Sequence, residues 1–167
     1  MTCYVVRHVK AGDRKKWTDR PDSERPISSN GSRQAAALAE RFADAGVDRL
    51  VSSPYLRCVQ SLEPLAEQLG LTVEVDDRLV EGGSFEQTLR LLGELVAAGS
   101  TPVVCSHGDV IVELISALVR RGTELRNEPD WRKATVWTLE SGDGVQPDAD
   151  GIAAFSSATV EPPPGKP

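Results

Sequence analysis

His8 and His107 are the two histidines of the chain, and each follows a short apolar run. Cys3-Tyr4-Val5-Val6 leads into Arg7-His8, and Pro102-Val103-Val104-Cys105 leads into Ser106-His107-Gly108. Apolar, β-rich runs of this length read as buried strands. A buried strand delivers its last side chains to a sheet edge, and packing gives no reason to deliver Arg7 and His8 there together. In an open parallel α/β sheet the C-terminal strand ends line one crevice, where ligands bind. Ser53-Pro54 marks a third junction. It follows a predicted strand, Arg49–Ser52, and is expected to open a helix with Ser53 as cap, Pro54 in first position and Arg57 in the first turn. Helix N-termini offer free N–H groups to phosphate, and arginine forks grip two phosphate oxygens at once. Gly108 lets backbone approach a ligand closely. Arg7, His8, Arg57, His107 and Gly108 at one sheet edge describe a phosphoryl site.

No Walker glycine loop with its lysine is present, which argues against nucleoside-triphosphate hydrolysis of that kind. The two histidines are far apart in sequence, and no metal-ligand spacing accompanies them. Covalent catalysis by histidine remains: a neutral imidazole attacks phosphorus while arginines neutralise the equatorial oxygens. The leaving group needs a proton, and Glu81, in a loop before Gly82-Gly83, is the best-placed acid in the sequence.

The elements that must position these residues alternate for most of the chain. Helices are expected over residues 28–45, 53–69, 84–98 and 109–121, and strands over 3–6, 49–52, 71–75 and 102–105. A last strand pair is expected at 135–140 and 151–156, around a Gly/Asp/Pro loop. Alternation of this kind predicts a three-layer α/β/α sandwich with a mostly parallel central sheet. Residues 1–160 are expected to form one domain and 161–167 a disordered proline-rich tail.

The whole chain is acidic, with a formal net charge of −6. This argues against general nucleic-acid affinity. No run reaches membrane-spanning length and no signal-peptide core is visible, so a cytoplasmic location is expected. The loop after Arg7-His8 inverts the sign: Lys10, Arg14, Lys15, Lys16, Arg20 and Arg25 outnumber Asp13, Asp19, Asp22 and Glu24. Most of these read as solvated charges, with Lys10 and Arg14 as candidates for the rim of an anion site. Cys3, Cys58 and Cys105 are odd in number and scattered, which signals neither a disulfide framework nor a zinc site. They read as small buried hydrophobes. Asp109 reads as a helix-dipole partner, and Trp17 as packing.

Arg7-His8, Ser52-Ser53-Pro54-Tyr55-Leu56-Arg57 with Gln60-Ser61 behind it, Leu79-Val80-Glu81-Gly82 and Ser106-His107-Gly108 occur in that order. In order and spacing they resemble the histidine phosphatase superfamily, the fold shared by cofactor-dependent phosphoglycerate mutases and acid phosphatases. The resemblance implies His8 as the nucleophile, Arg7, Arg57 and His107 as holders of the phosphoryl oxygens with the Gly108 N–H beside them, and Glu81 as proton donor. It implies no metal and no cofactor. Most members have glycine after Arg-His. Val9-Lys10-Ala11-Gly12 looks instead like the small bacterial branch of SixA-type phosphohistidine phosphatases and the phosphatase-like halves of some Nudix hydrolases.

The short stretch between Glu81 and His107 leaves little material for a closed lid. An open site and net hydrolysis are therefore expected, on a protein phosphohistidine or a small phosphomonoester. Three rivals remain: mutase-like transfer between small phosphates, a non-catalytic phosphoryl-binding module, and a nucleotide or sugar phosphatase with Trp17 or Trp131 stacking a ring. The sequence leaves the oligomeric state open.

Overall fold

The computed structural model describes residues 1–142, 151–152 and 154–164. In chain order the elements are β1 (Thr2–Arg7), α1 (Ser29–Phe42), β2 (Arg49–Ser52), α2 (Leu56–Leu69), β3 (Val73–Val75), α3 (Phe85–Ala97), β4 (Pro102–Ser106), α4 (Gly108–Arg120), β5 (Glu124–Leu125), β6 (Val136–Glu140) and β7 (Ser157–Glu161). The strands form one sheet in the order β3-β2-β4-β1-β6-β7-β5. β3, β2, β4 and β1 run parallel, β6 is antiparallel to both β1 and β7, and β5 is parallel to β7. The α/β class and mostly parallel sheet are as expected.

Strand side chains alternate between two cores, as the period of two requires. Val5, Val51 and Val104 face α3 and α4, where Leu89, Leu92, Val96, Ile111, Leu114 and Leu118 meet them. Val6, Leu50 and Val103 face α1 and α2, against Leu38, Phe42, Leu62 and Leu65. Helices therefore cover both faces, and the parallel strands are buried on both sides. Ser28 caps α1 by accepting from Gly31 N–H, and Ser84 caps α3 by accepting from Glu86 N–H.

Three expectations need correction. α2 begins at Leu56, not at Ser53-Pro54, and its cap residue Tyr55 makes no side-chain capping bond. Ser53 is drawn away by His107, as described below. The last strand is 157–161 and not 151–156. The earlier stretch is an apolar run without alternation, whereas Ala158 and Val160 point inward at a spacing of two and reach the α3/α4 core. Glu161 belongs to this strand and pairs with Arg41, so it is not part of a loose tail. The expected Gly/Asp/Pro loop falls largely on residues 143–150, and the end of the proline-rich tail on 165–167, both outside the described residues. Among the described residues no helix is long and apolar enough to cross a membrane.

Candidate active site

Parallel register brings the three junctions to one level. Arg7 lies opposite Ser106 on β4, and Ser52 lies opposite Cys105. The pairing continues one residue past the strands: His8 N–H donates to Ser106 O at 3.0 Å and Ser53 N–H to Cys105 O at 3.0 Å. β4 sits between β1 and β2, so the residues after Arg7, Ser52 and Ser106 must emerge side by side.

His8 is buried, and its Nδ1 lies 2.7 Å from the Val9 carbonyl oxygen. A carbonyl only accepts, so Nδ1 carries the proton and the Nε2 lone pair is left bare. Burial pushes His8 down to about 3; Arg57, His107 and Lys133 add to this, while the Val9 bond opposes it. The ring is thus neutral through the physiological range. His107 packs edge-on to it with centroids 5.4 Å apart, and Tyr55 stands edge-on to His107 at 4.8 Å. Arg57 Nη2 donates to His107 Nδ1 at 3.4 Å, which places the His107 proton on Nε2, 2.9 Å from Ser53 Oγ. Cys58 Sγ lies 3.5 Å from the same nitrogen.

Arg57 is completely buried and is the hub of the site. Its Nη1 donates to the Asp22 carbonyl at 2.9 Å and to Asp22 Oδ2 at 3.0 Å, and its Nη2 to Glu81 Oε2 at 2.9 Å. Arg14 reaches the same two carboxylates, at 3.2 Å to Asp22 and 3.4 Å to Glu81. Asp22 also accepts from Arg25 at 2.8 Å. That bond, with the charges of Arg57 and Arg14, holds its carboxyl well below the usual carboxylate range. Arg7 Nη1 donates to the Trp131 carbonyl. Burial lowers Arg7 against the opposing pull of Asp109 and Glu81. The Nε–H groups of Arg7 and Arg57 are buried with no acceptor among the described residues. An unmet buried donor costs about 1–3 kcal/mol, so both arginines hold unspent attraction for an oxyanion.

Gly108 is needed for a reason different from the one expected. A Cβ at this position would fall 2.6 Å from Arg7 Cζ and 2.8 Å from its Nε and Nη2. Its missing side chain makes room for the Arg7 guanidinium.

The family model for the histidine phosphatase superfamily (branch 1) matches residues 3–91, over half of the chain. This chain belongs to the histidine phosphatase superfamily. A relative in Mycolicibacterium smegmatis, described as an 8-oxo-(d)GTP phosphatase, is 31% identical over 152 residues, covering 89% of this chain and 47% of the relative. The chain thus spans about half the length of that protein. A probable phosphoglycerate mutase GpmB of Yersinia pestis is 32% identical over 78 residues, 47% of this chain and 36% of its own. Among solved structures, the protein histidine phosphatase SixA in complex with tungstate superposes with a TM-score of 0.71 at 23% identity, covering 95% of this chain and 96% of that one. A mycobacterial glucosyl-3-phosphoglycerate phosphatase in complex with VO3 gives 0.67 at 20% identity, covering 96% of both chains. At these identities the structures speak for the shared fold.

Within this superfamily member, Arg7, His8, Arg57, Glu81, His107 and Gly108 are gathered at one end of the sheet: His8 and Arg57 meet His107, Arg57 meets Glu81, and Arg7 meets Gly108. Several neighbours had no signal in the sequence. Asp22 and Arg25 have the sequence context of solvated loop charges, yet Arg25 is buried and bonds Asp22, which in turn accepts from Arg57. Val9 N–H donates to Ser61 Oγ at 3.0 Å, and Ser61 donates to the Arg57 carbonyl at 2.6 Å, which ties the end of β1 to α2. The Val9 side chain is buried in the α1/α2 core, so valine in place of glycine serves packing. Asp109 does more than face a helix dipole: it accepts from Gly82 N–H at 2.7 Å and pins the loop that carries Glu81. Trp17 closes on its own loop by donating to the Pro21 carbonyl at 2.9 Å. Trp131 stacks on the buried Trp137 with centroids 5.0 Å apart, which fixes the carbonyl that holds Arg7.

Proposed function

We propose that the chain is a metal-independent phosphatase that works through a phosphohistidine at His8. The observation that carries this reading is the His8 ring itself: Nδ1–H is held by the Val9 carbonyl and the bare Nε2 stands beside Arg57 and His107. In the first step an Nε2–P bond forms and the bond from phosphorus to the leaving oxygen or nitrogen breaks. Arg7, Arg57 and His107 hold the phosphoryl oxygens, where charge is stabilised by donors already in place. Glu81 gives its proton to the leaving group. In the second step Glu81 takes a proton from water, the water oxygen bonds to phosphorus, and inorganic phosphate leaves with His8 restored.

Glu81 has a physical route to that role. Its carboxylate shares Arg57 with Asp22. A phosphoryl dianion taking the Arg57 fork would displace Glu81 and free its carboxyl to face the leaving group. The substrates this site suits are a phosphohistidine on a protein surface or a small phosphomonoester. The deciding experiment is a turnover screen in the presence of EDTA over phosphohistidine peptides, sugar phosphates and nucleotides. Turnover of at least one class, with loss in His8→Ala, supports the reading. Activity that EDTA removes and zinc or magnesium restores would overturn it.

Two further outcomes are expected. Glu81→Gln should slow hydrolysis of an alkyl phosphate by about 10²–10⁴. A phosphoramidate should suffer much less, because imidazole leaves more easily than alkoxide; equal losses on the two would count against Glu81 as acid. Gly108→Ala should push the Arg7 guanidinium aside and lower kcat by roughly 10²–10³, the cost of losing one transition-state donor. Parent-like kcat in Gly108→Ala would place Arg7 outside the reaction.

A further inference from the structure

An open groove of about 1010 Å³ runs along α1 from Asn30 to Glu40. Lys10, Arg33, Arg132 and Lys133 line it, against one carboxylate, Glu40. In a chain of net charge −6 this is a local inversion of sign. Arg132 is occupied by Asp130. Lys10, Arg33 and Lys133 have no carboxylate within ion-pair distance among the described residues. Lys133 is the link to the His8 site: its chain neighbour Ala134 donates its N–H to the Arg7 carbonyl at 3.0 Å and lies 3.4 Å from the His8 carbonyl. Lys133 is half-buried, and its proton affinity is lowered by burial and then by Arg7, Arg25, Lys10 and Arg57, cations that stand on both the pocket and the groove side. It also acts on His8. Holding a lysine among four cations without an acid costs free energy that a bound anion would return.

We propose that Lys133, with Lys10 and Arg33, forms a subsite for a second phosphoryl group of the substrate, next to the group that reacts at His8. The inference rests on the phosphatase reading for the place of the first group. The position of Glu40 favours a compact anion. Seven residues beyond Arg33 on α1, it lies about 10 Å further along the helix axis, so a carboxylate meets any extended acidic chain laid along the groove. The acidic remainder of the surface likewise repels a large polyanion. The chemistry recognised is therefore a diphosphate, or a bisphosphate with its two groups close together.

Calorimetric titration of the full chain with non-hydrolysable probes tests this without needing turnover. Methylenediphosphonate is expected to bind at least about tenfold more tightly than methylphosphonate, an advantage of about 1.4 kcal/mol. Lys133→Ala should reduce that ratio to about twofold, Lys133→Arg should keep most of it, and Arg33→Ala, an exposed change with little reach into the fold, should lower it partly. Propane-1,3-diphosphonate separates the two sources: preference for it over the methylene compound points to a bisphosphate, the reverse to a diphosphate, and either supports the subsite. Equal binding of the one-group and two-group probes by the parent overturns the proposal. So does a ratio that survives both Lys133→Ala and Arg33→Ala, or tighter binding of a hexaglutamate peptide than of methylenediphosphonate, which would mark a protein-docking surface. A parent that prefers the two-group probe yet turns over no phosphoester would refute the phosphatase and leave the subsite standing.

Discussion

His8→Ala should lose turnover by about 10⁴-fold or more, with little change in fold. The size follows from the nature of the step: without the ring nitrogen there is no covalent intermediate, and what remains is the binding and electrostatic contribution of the arginines. Rapid quench of the parent with a labelled substrate should trap a phosphoryl group that is stable in alkali and lost in acid, as expected of a P–N bond. The variant should trap none. An alanine variant that matches the parent, or a trapped label of the opposite stability, would move the chemistry off His8. The same side chain carries a pH signature. Its pKa falls from 6.5 to about 3 in the folded chain, through burial first and the neighbouring cations after it. Between those values the unfolded chain binds the extra proton, so stability is full above about pH 6.5 and declines as pH drops toward 3. His8→Ala removes this contribution. Its urea midpoint relative to the parent should therefore rise as pH is lowered from 7.5 to 5, measured at one fixed ionic strength so that screening is the same at both pH values. A constant difference between the two proteins would mean that His8 titrates normally.

What could be read in advance divides along a physical line. Arg7-His8 and His107 were legible because a short apolar run that ends in ionisable residues has few packing explanations, and because parallel register converts similar run lengths into spatial proximity. The contacts that hold the reacting groups in place leave no local trace. Asp22 sits in a polar loop whose composition suits solvent; nothing in its neighbours reveals that Arg57, 35 residues away, turns back to meet it. Ser53 has the residue type and the following proline of a helix cap. His107, 54 residues on, competes for its hydroxyl and wins, so the helix begins at Leu56, two residues after Pro54. With that start, Arg57 and Cys58 both fall on the buried face of α2. At the last strand the alternation of Ser157–Glu161 is a better strand signal than the plain apolar run before it. Local chemistry announces the candidate reacting residues, whereas the side chains that hold them depend on distant segments.

Arg57→Ala is expected to separate activity from stability. Turnover should fall by about 10³ or more, since in the proposed mechanism the side chain supplies donors to the transferring group, and it also fixes His107 through Nδ1. Stability should change far less than removal of a buried charge would suggest. Breaking a fully buried pair costs about 3–5 kcal/mol because the abandoned partner stays dry. Here the partners are not dry: the Asp22 and Glu81 side chains are 33% and 37% exposed, and both keep Arg14. Water and Arg14 can satisfy them, while the chain no longer bears the desolvation of a guanidinium with zero exposure. The expected loss is on the order of 1–2 kcal/mol, mainly the hydrogen bond to the Asp22 carbonyl and the space left behind. Arg57→Lys sharpens the test. It restores the charge but not the fork that spans Asp22 and Glu81, so it should recover no more than about tenfold of the lost activity. Full recovery would mean that charge alone suffices there. A denaturant midpoint that collapses in Arg57→Ala would show instead that the site's carboxylates depend on this one cation to stay folded in place.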